Sequence, residues 1–242
     1  MTGTPLLRVQ ELSAGYGPAQ ALFGVSFEVP ARSAVAVLGP NGAGKSTLAR
    51  ALSGLIPVTG GTVGFDGQDL TGASATAIRR AGLVHLPEGR GIFPGLTVHE
   101  NLRLALSVDK INQAEAFERA FGYFPALASR RKQTAGTLSG GEQQMLSLSR
   151  ALMVNPKLVI ADEMSLGLAP MLVDAVFDGL RAALDSGVAV IMIEQFAGKA
   201  IAFADQCLIL RRGAVAWSGP ADQAGGELLH RYLGAATAGV SD

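Results

Sequence analysis

Two glycine-rich turns, one lysine and an adjacent pair of acids carry the chemistry available to this chain. GPNGAGKST (39–47) sets Gly39, Gly44, Lys45 and Ser46 in the spacing G-x-x-x-x-G-K-[ST]. Glycines at those positions let the backbone curl so that several N–H groups converge on a β-phosphate. Lys45 brings a positive charge to the β- and γ-phosphates, Ser46 offers a hydroxyl to Mg²⁺, and Thr47 reaches an α-phosphate. Pro40, Asn41, Gly42 and Ala43 complete the nucleotide-binding loop. A glycine-rich turn with a chance lysine is the plain alternative. The context argues against it, because an apolar run, SAVAVL (33–38), precedes the loop and a helix opens at Lys45. Such a loop alone leaves GTPase, kinase, helicase and ATPase open.

The acids narrow the choice. LVIADE (158–163) is an apolar run that ends in Asp162 and Glu163. Ligands of α/β sheets bind beyond the carboxyl ends of the strands. Asp162 is placed to hold Mg²⁺, and Glu163 to take a proton from an attacking water or to orient it. A solvated acidic turn is the alternative. The chain contains no N-K-x-D stretch of the guanine-binding kind, which counts against a GTPase. A second glycine turn, LSGGEQQ (138–144), opens another helix, and Ser139, Gly140, Gly141 and Glu142 form its start. Unpaired N–H groups at a helix start suit an anion. The loop at 39–47 already serves one nucleotide, so this second turn must either serve another or be an ordinary helix cap.

These groups need a sheet and helices to hold them. The chain has 242 residues, 48% of them hydrophobic, which supports one large domain with a sizeable core. Residues 6–30 read as antiparallel strands, and 61–70 as a strand ending in an Asp-Gly turn. Further strands are expected at 33–38, 82–87, 157–162, 187–193 and 206–210, with a helix from Pro170 between two of them. From Thr97 to Pro156 the pattern is helical, with a capping box at Thr97 and Glu100 and a similar pair at Asn112 and Glu115. Phe117, Ala120, Phe121 and Phe124 mark one apolar stripe in that region. The expectation is an α/β fold: a P-loop core of RecA-like type, an antiparallel β subdomain and a helical insert. The chain is one domain, 1–242, with core and β subdomain in 1–90 and 157–242 and a helical subdomain at 91–156. The tail ATAGVSD is expected to fray.

Bulk properties set limits. Twenty basic and 20 acidic residues cancel, which argues against a nucleic-acid footprint. No apolar run reaches the roughly 18 residues that a membrane span needs, and the N-terminus lacks the apolar stretch of a signal peptide. A single cysteine, Cys207, suits a reducing compartment, so the chain is expected in the cytoplasm.

The order of phosphate loop, helical insert, LSGGEQQ and strand with Asp-Glu resembles the ATP-binding cassette (ABC) ATPases over nearly the whole chain. That resemblance implies ATP and Mg²⁺ as cofactors. It also implies a head-to-tail pair of cassettes, in which Ser139, Gly140 and Gly141 face the γ-phosphate held by the neighbour. Tyr16 takes the place of the aromatic that stacks on adenine, and SLGL (165–168) that of the loop crossing to the partner. PEGRGIFPGLTVHENL (87–102), DEMSLGLAP (162–170) and IEQ (193–195) look like one ATPase subunit of the branched-chain amino-acid importers. Glu88 stands where the family often has glutamine, keeping an acceptor for Mg²⁺ or water, and Gln195 stands where it usually has histidine. Met164 replaces a common proline, and without a fixed φ it is expected to loosen the turn. Phe93, Leu96 and His99 would line the groove for a coupling helix, and His85, His99 and His230 are otherwise read as structural or surface residues.

The resemblance implies an energy-coupling ATPase peripheral to the inner face of the membrane. Its partners would be a second, different cassette, two permeases and, indirectly, a periplasmic or extracytoplasmic binding protein. The alternatives are a weakly hydrolysing regulatory half, motivated by Gln195 and Glu88, an importer of urea, an amide or an aromatic acid, or a soluble cassette protein acting on DNA or the ribosome.

Overall fold

The computed structural model describes residues 4–106, 111–194 and 197–226. Gln195, His230 and the ATAGVSD tail lie outside the described residues. In chain order, β1 (Leu7–Tyr16) and β2 (Ala19–Val29) form a hairpin, followed by β3 (Ala34–Leu38) and α1 (Lys45–Leu52). Next come β4 (Val58–Phe65), β5 (Gln68–Asp69), α2 (Ala75–Ala81) and β6 (Leu83–Leu86). The helical stretch supplies α3 (Val98–Ala105), α4 (Gln113–Tyr123) and α5 (Gly140–Leu152). The chain then returns to strand–helix alternation with β7 (Leu158–Asp162), α6 (Pro170–Asp185), β8 (Ala189–Ile193), α7 (Ala197–Phe203), β9 (Gln206–Arg211) and β10 (Ala214–Pro220).

Two sheets result. One is antiparallel, in the order β2-β1-β4-β5, and the other has six strands in the order β10-β9-β3-β8-β7-β6. Within the larger sheet β9, β3, β8, β7 and β6 run parallel, and β10 is an antiparallel edge. The central strands are buried on both faces, so they read as continuous apolar runs. Successive side chains point to opposite faces. Ala34, Ala36 and Leu38 therefore join the core shared with the helical segment, and Val35 and Val37 join the core shared with the antiparallel sheet and α1. Among the described residues the helical stretch shares its core with the sheet: Leu102, Phe121, Leu146 and Leu148 belong to the same cluster as β3, β7 and β8.

The expected strand at 61–70 starts earlier, at Val58, and breaks at Asp66-Gly67, both with positive φ (49° and 75°). The helix α2 escapes a periodicity search because it is seven residues long and buries only Ile78, although Ser74 caps it through Ala77 N. The capping box at Thr97 and Glu100 is present. Asn112 caps α4 by accepting from Ala114 N, and its amide donates to Glu115.

Candidate nucleotide site

The loop at 39–47 leaves the carboxyl end of β3, a central strand, and enters α1. Gly39 cannot be replaced, because a Cβ there would lie 2.5 Å from the carbonyl of Leu210. Gly44 precedes the helix with φ 105°, a left-handed conformation open to glycine. The loop is tied down by Ala43 N donating to Pro40 O (3.1 Å) and Gly213 N donating to Ala43 O (2.9 Å). Lys45 is 5% exposed, and its ammonium donates to the carbonyls of Gly39 (2.8 Å) and Pro40 (3.4 Å). Thr47 is buried, while Asn41 and Gly42 are exposed and Ser46 is half-buried.

The acids arrive from β7, whose last residue, Asp162, pairs with Ile193 of β8. Asp162 is 2% exposed, and its Oδ1 is buried with no hydrogen-bond partner among the described residues. Glu163 takes φ 49°, a conformation uncommon outside glycine, and its N–H donates to Ile193 O at 2.8 Å. Its carboxylate lies 3.9 Å from the Lys45 ammonium. Burial pushes the Glu163 carboxyl above the ordinary range, Lys45 opposes this, and Glu88 and Asp162 add to it. Glu88 is exposed on the loop after β6, so it reaches the site through its charge. Among the described residues, no group of three or more His, Cys, Asp or Glu converges as a metal cage. One orphaned carboxylate oxygen and one serine hydroxyl, supplemented by phosphate oxygens and water, are a donor set that fits Mg²⁺.

Tyr16 ends β1 with its ring 44% exposed, and its hydroxyl accepts from Arg50 of α1 at 3.0 Å. The second glycine turn is built on a capping box. Ser139 Oγ accepts from Glu142 N (3.3 Å), and Ser139 N donates to Glu142 Oε2 (2.9 Å). The serine hydroxyl therefore keeps its proton free for an acceptor. The Glu142 carboxylate is also paired with Arg130 at 2.9 Å, so it is engaged within its own chain. A Cβ on Gly141 would meet Leu172 of α6 at 2.5 Å, and one on Gly140 would meet the Arg90 guanidinium at 2.8 Å. No hydrogen bond or ion pair among the described residues joins 139–142 to 39–47, so the two glycine turns are not tied to each other.

Three side-chain contacts escaped the sequence reading. His85 sits on β6 with Nδ1 3.0 Å from Ser53 Oγ and Nε2 3.9 Å from Asp162 Oδ2. Ser53 gives its own proton to Ala49 O, which assigns the Nδ1 proton to His85. Glu194 is 3% exposed and accepts from Ser165 Oγ (2.6 Å) and Ser165 N (3.2 Å). Its carboxyl is pushed up to about 7, first by burial and further by Glu163 and Asp162, against the Ser165 hydrogen bonds. Met164 is 2% exposed and its sulfur accepts from Gln144 Nε2 at 2.9 Å, which ties the turn to α5 by contact. None of the three carries a sequence signal, because each depends on the register between neighbouring strands or on a contact between distant segments.

Phe93, on the segment between β6 and α3, is 48% exposed under the Arg150 guanidinium, 5.1 Å from its ring centroid. A cleft of about 310 Å³ opens beside it, between Leu86, Pro87, Leu104 and Arg150. His99 stacks on Phe117 at 4.7 Å. Among the described residues no helix is long and apolar enough to cross a membrane.

Comparison with known proteins agrees with this geometry. The family model for the ABC transporter domain matches residues 22–165. The high-affinity branched-chain amino acid transport ATP-binding protein BraG of Pseudomonas aeruginosa is 40% identical over 211 residues, which is 87% of this chain and 91% of the relative. BraF of the same organism, which carries the same description, is 29% identical over 254 residues, covering 96% and 99% of the two chains. Among solved structures, the ADP conformation of an ATP-binding cassette of an ABC transporter superposes with a TM-score of 0.80 at 27% identity, over 90% of this chain and 92% of that one. With its phosphate loop, its Asp-Glu strand end and its separate glycine turn placed as described, the chain belongs to the ABC transporter family of ATP-binding proteins.

Proposed function

We propose that this chain is the ATP-hydrolysing, energy-coupling subunit of an importer for branched-chain or other hydrophobic amino acids. The observation that carries the reading is the separation of the two phosphate-directed turns. Among the described residues no hydrogen bond or ion pair joins loop 39–47 to residues 139–141, so on this reading one chain holds two half-sites and each needs a second cassette to complete it. A head-to-tail pair meets that need and makes ATP the cement between subunits. In this reading Gly39, Pro40, Asn41, Gly42, Ala43, Gly44, Lys45 and Thr47 cradle the phosphates, Tyr16 stacks on the base, and Ser139, Gly140 and Gly141 cap the partner's nucleotide. Mg²⁺, held by Ser46 and Asp162 with Glu88 near it, would neutralise charge on the phosphate oxygens. Glu163 beside Lys45 orients the attacking water and takes its proton, a role suited to a carboxyl raised above its ordinary range.

BraF and BraG are two different cassettes from one organism with the same description, which supports a heterodimeric pairing here. The cleft between Pro87, Leu104 and Arg150 is the surface offered to a permease on the cytoplasmic face of the membrane. Two permeases and, through them, an extracytoplasmic binding protein complete the assembly.

The test is Glu163→Gln. Mixed with its partner cassette, the variant should bind MgATP as wild type does, lose turnover at its own site, and form an ATP-dependent dimer on size exclusion. Retained turnover removes Glu163 as the base. Leucine uptake that does not depend on the chain, measured in cells lacking it, removes the proposed solute class. A second reading is favoured by Gln195, a residue that cannot carry a positive charge where the resembled family has histidine. It makes this chain's own site slower than its partner's. Gln195→His should then raise turnover in the assembled complex, and an unchanged rate discards the idea.

A further inference from the structure

Glu194 is a carboxylate in a place that is costly for one. It is 3% exposed at the end of β8, and a buried charge is unfavourable unless hydrogen bonds satisfy it. Both of its oxygens are used on a single residue. Ser165 Oγ donates to Oε2 at 2.6 Å, and Ser165 N donates to Oε1 at 3.2 Å. Ser165 lies two residues beyond Glu163, in the segment 163–168. That segment is pinned again by Glu163 N donating to Ile193 O at 2.8 Å, with Glu163 itself at φ 49°. Glu194 N in turn donates to Val37 O at 3.4 Å, on the strand that leads into the phosphate loop. Its other ties are Gln144 Nε2 to Met164 Sδ (2.9 Å) from α5, and Leu166 N to Glu163 O (3.2 Å) and Leu168 N to Ser165 O (3.3 Å), which close its own turn; Leu166 is 48% exposed.

We infer that Glu194 is a positioning residue: by holding the hydroxyl and N–H of Ser165 it fixes the 163–168 loop on the end of β8, and so sets where the Glu163 carboxylate and the partner-facing loop stand relative to the phosphate loop. The catalytic meaning of this clamp rests on the function proposed above, whereas the clamp itself does not. A neutral residue could fill the space at lower cost, but a carboxylate offers two acceptors at the spacing of one serine's O–H and N–H. Left-handed φ at Glu163 is strained, and it persists where the surroundings over-determine it. Ser165 and Ile193 supply that determination from both sides. A displacement of about 1 Å at a reacting group can cost on the order of 10²-fold in rate.

Amide hydrogen exchange and kinetics on the full chain test the clamp together. In Glu194→Ala and in Ser165→Ala, exchange across 163–168 should speed up by about tenfold, the worth of one lost hydrogen bond, while β7 and β8 stay protected. With MgATP, turnover should fall by about tenfold to a hundredfold with the ATP Kd held within about twofold, because the phosphate loop is untouched. The double variant should lose no more than either single one, and Glu194→Gln, which keeps one acceptor, should restore most of the rate. Unchanged exchange at 163–168, additive losses, or a Kd that rises as turnover falls would overturn the inference. If wild type neither binds nor hydrolyses MgATP, the proposed function fails, and the exchange result still decides the clamp.

Discussion

Replacing Glu194 with glutamine should stabilise the folded chain above neutral pH, although it removes a native charge. Glu194 is 3% exposed, and burial, aided by Glu163 and Asp162, moves its carboxyl from 4.5 to about 7 against the Ser165 hydrogen bonds. A carboxyl raised in this way keeps its proton in the folded chain after the unfolded chain has lost it. Below pH 4.5 both states hold the proton and Glu194 adds no pH dependence. Between 4.5 and 7 the unfolded state binds fewer protons, so stability falls as pH rises, and above 7 the full penalty stands. The interval from 4.5 to about 7, at about 1.4 kcal/mol per pH unit, amounts to about 3 kcal/mol. Glutamine has no proton to lose and resembles the protonated acid, with one carbonyl acceptor and one donor for Ser165. Any imperfect hydrogen bond it makes shifts the curve by no more than about 1 kcal/mol at every pH. The variant should thus be equal to wild type or about 1 kcal/mol weaker near pH 4.5 and about 2–3 kcal/mol stronger near pH 8. Urea unfolding of both proteins, without nucleotide and in chelator, measures this. A wild-type-minus-variant difference that is the same at the two pH values refutes the reasoning.

Three further substitutions probe separate parts of the account. Gly179→Ala forces a Cβ to within 2.2 Å of the Phe124 ring, inside the core, and should destabilise the chain by about 1–3 kcal/mol in urea unfolding, with wild-type ATP affinity. Ser139→Ala removes the oxygen that accepts from Glu142 N and should cost about 1 kcal/mol as a lost helix cap. In light scattering it should also abolish ATP-driven association while leaving ATP binding to 39–47 intact. Tyr16→Ala, at a residue 44% exposed, should leave the melting temperature in place and weaken ATP binding by about 1–3 kcal/mol in calorimetry, with Tyr16→Phe behaving as wild type.

Local rules made much of this protein legible before its structure. The phosphate loop could be read because its glycines, Lys45 and Ser46 are contiguous and bounded by a strand and a helix, so every requirement falls within one short window. The capping box at Thr97 was legible for the same reason, since it closes over three residues, whereas the box at Ser139 and Glu142 was found in the structure. The all-apolar central strands announced a sheet covered on both faces. What the sequence could not reveal depends on registers and approaches between distant segments. β6 pairs His85 with Ile160, which brings its ring beside Asp162. Ser165 and Glu194 are 29 residues apart and meet through the parallel pairing of β7 with β8. Gln144 and Met164 are 20 apart and meet where α5 packs on the loop after β7. By itself, then, the sequence determined which short motifs are candidates for holding phosphate and at which ends of which elements they sit, because those motifs are short-range. Only the tertiary structure decided how the carboxylates are buried, charged and clamped, because burial and hydrogen-bond partners arise where strands far apart in the chain come into register.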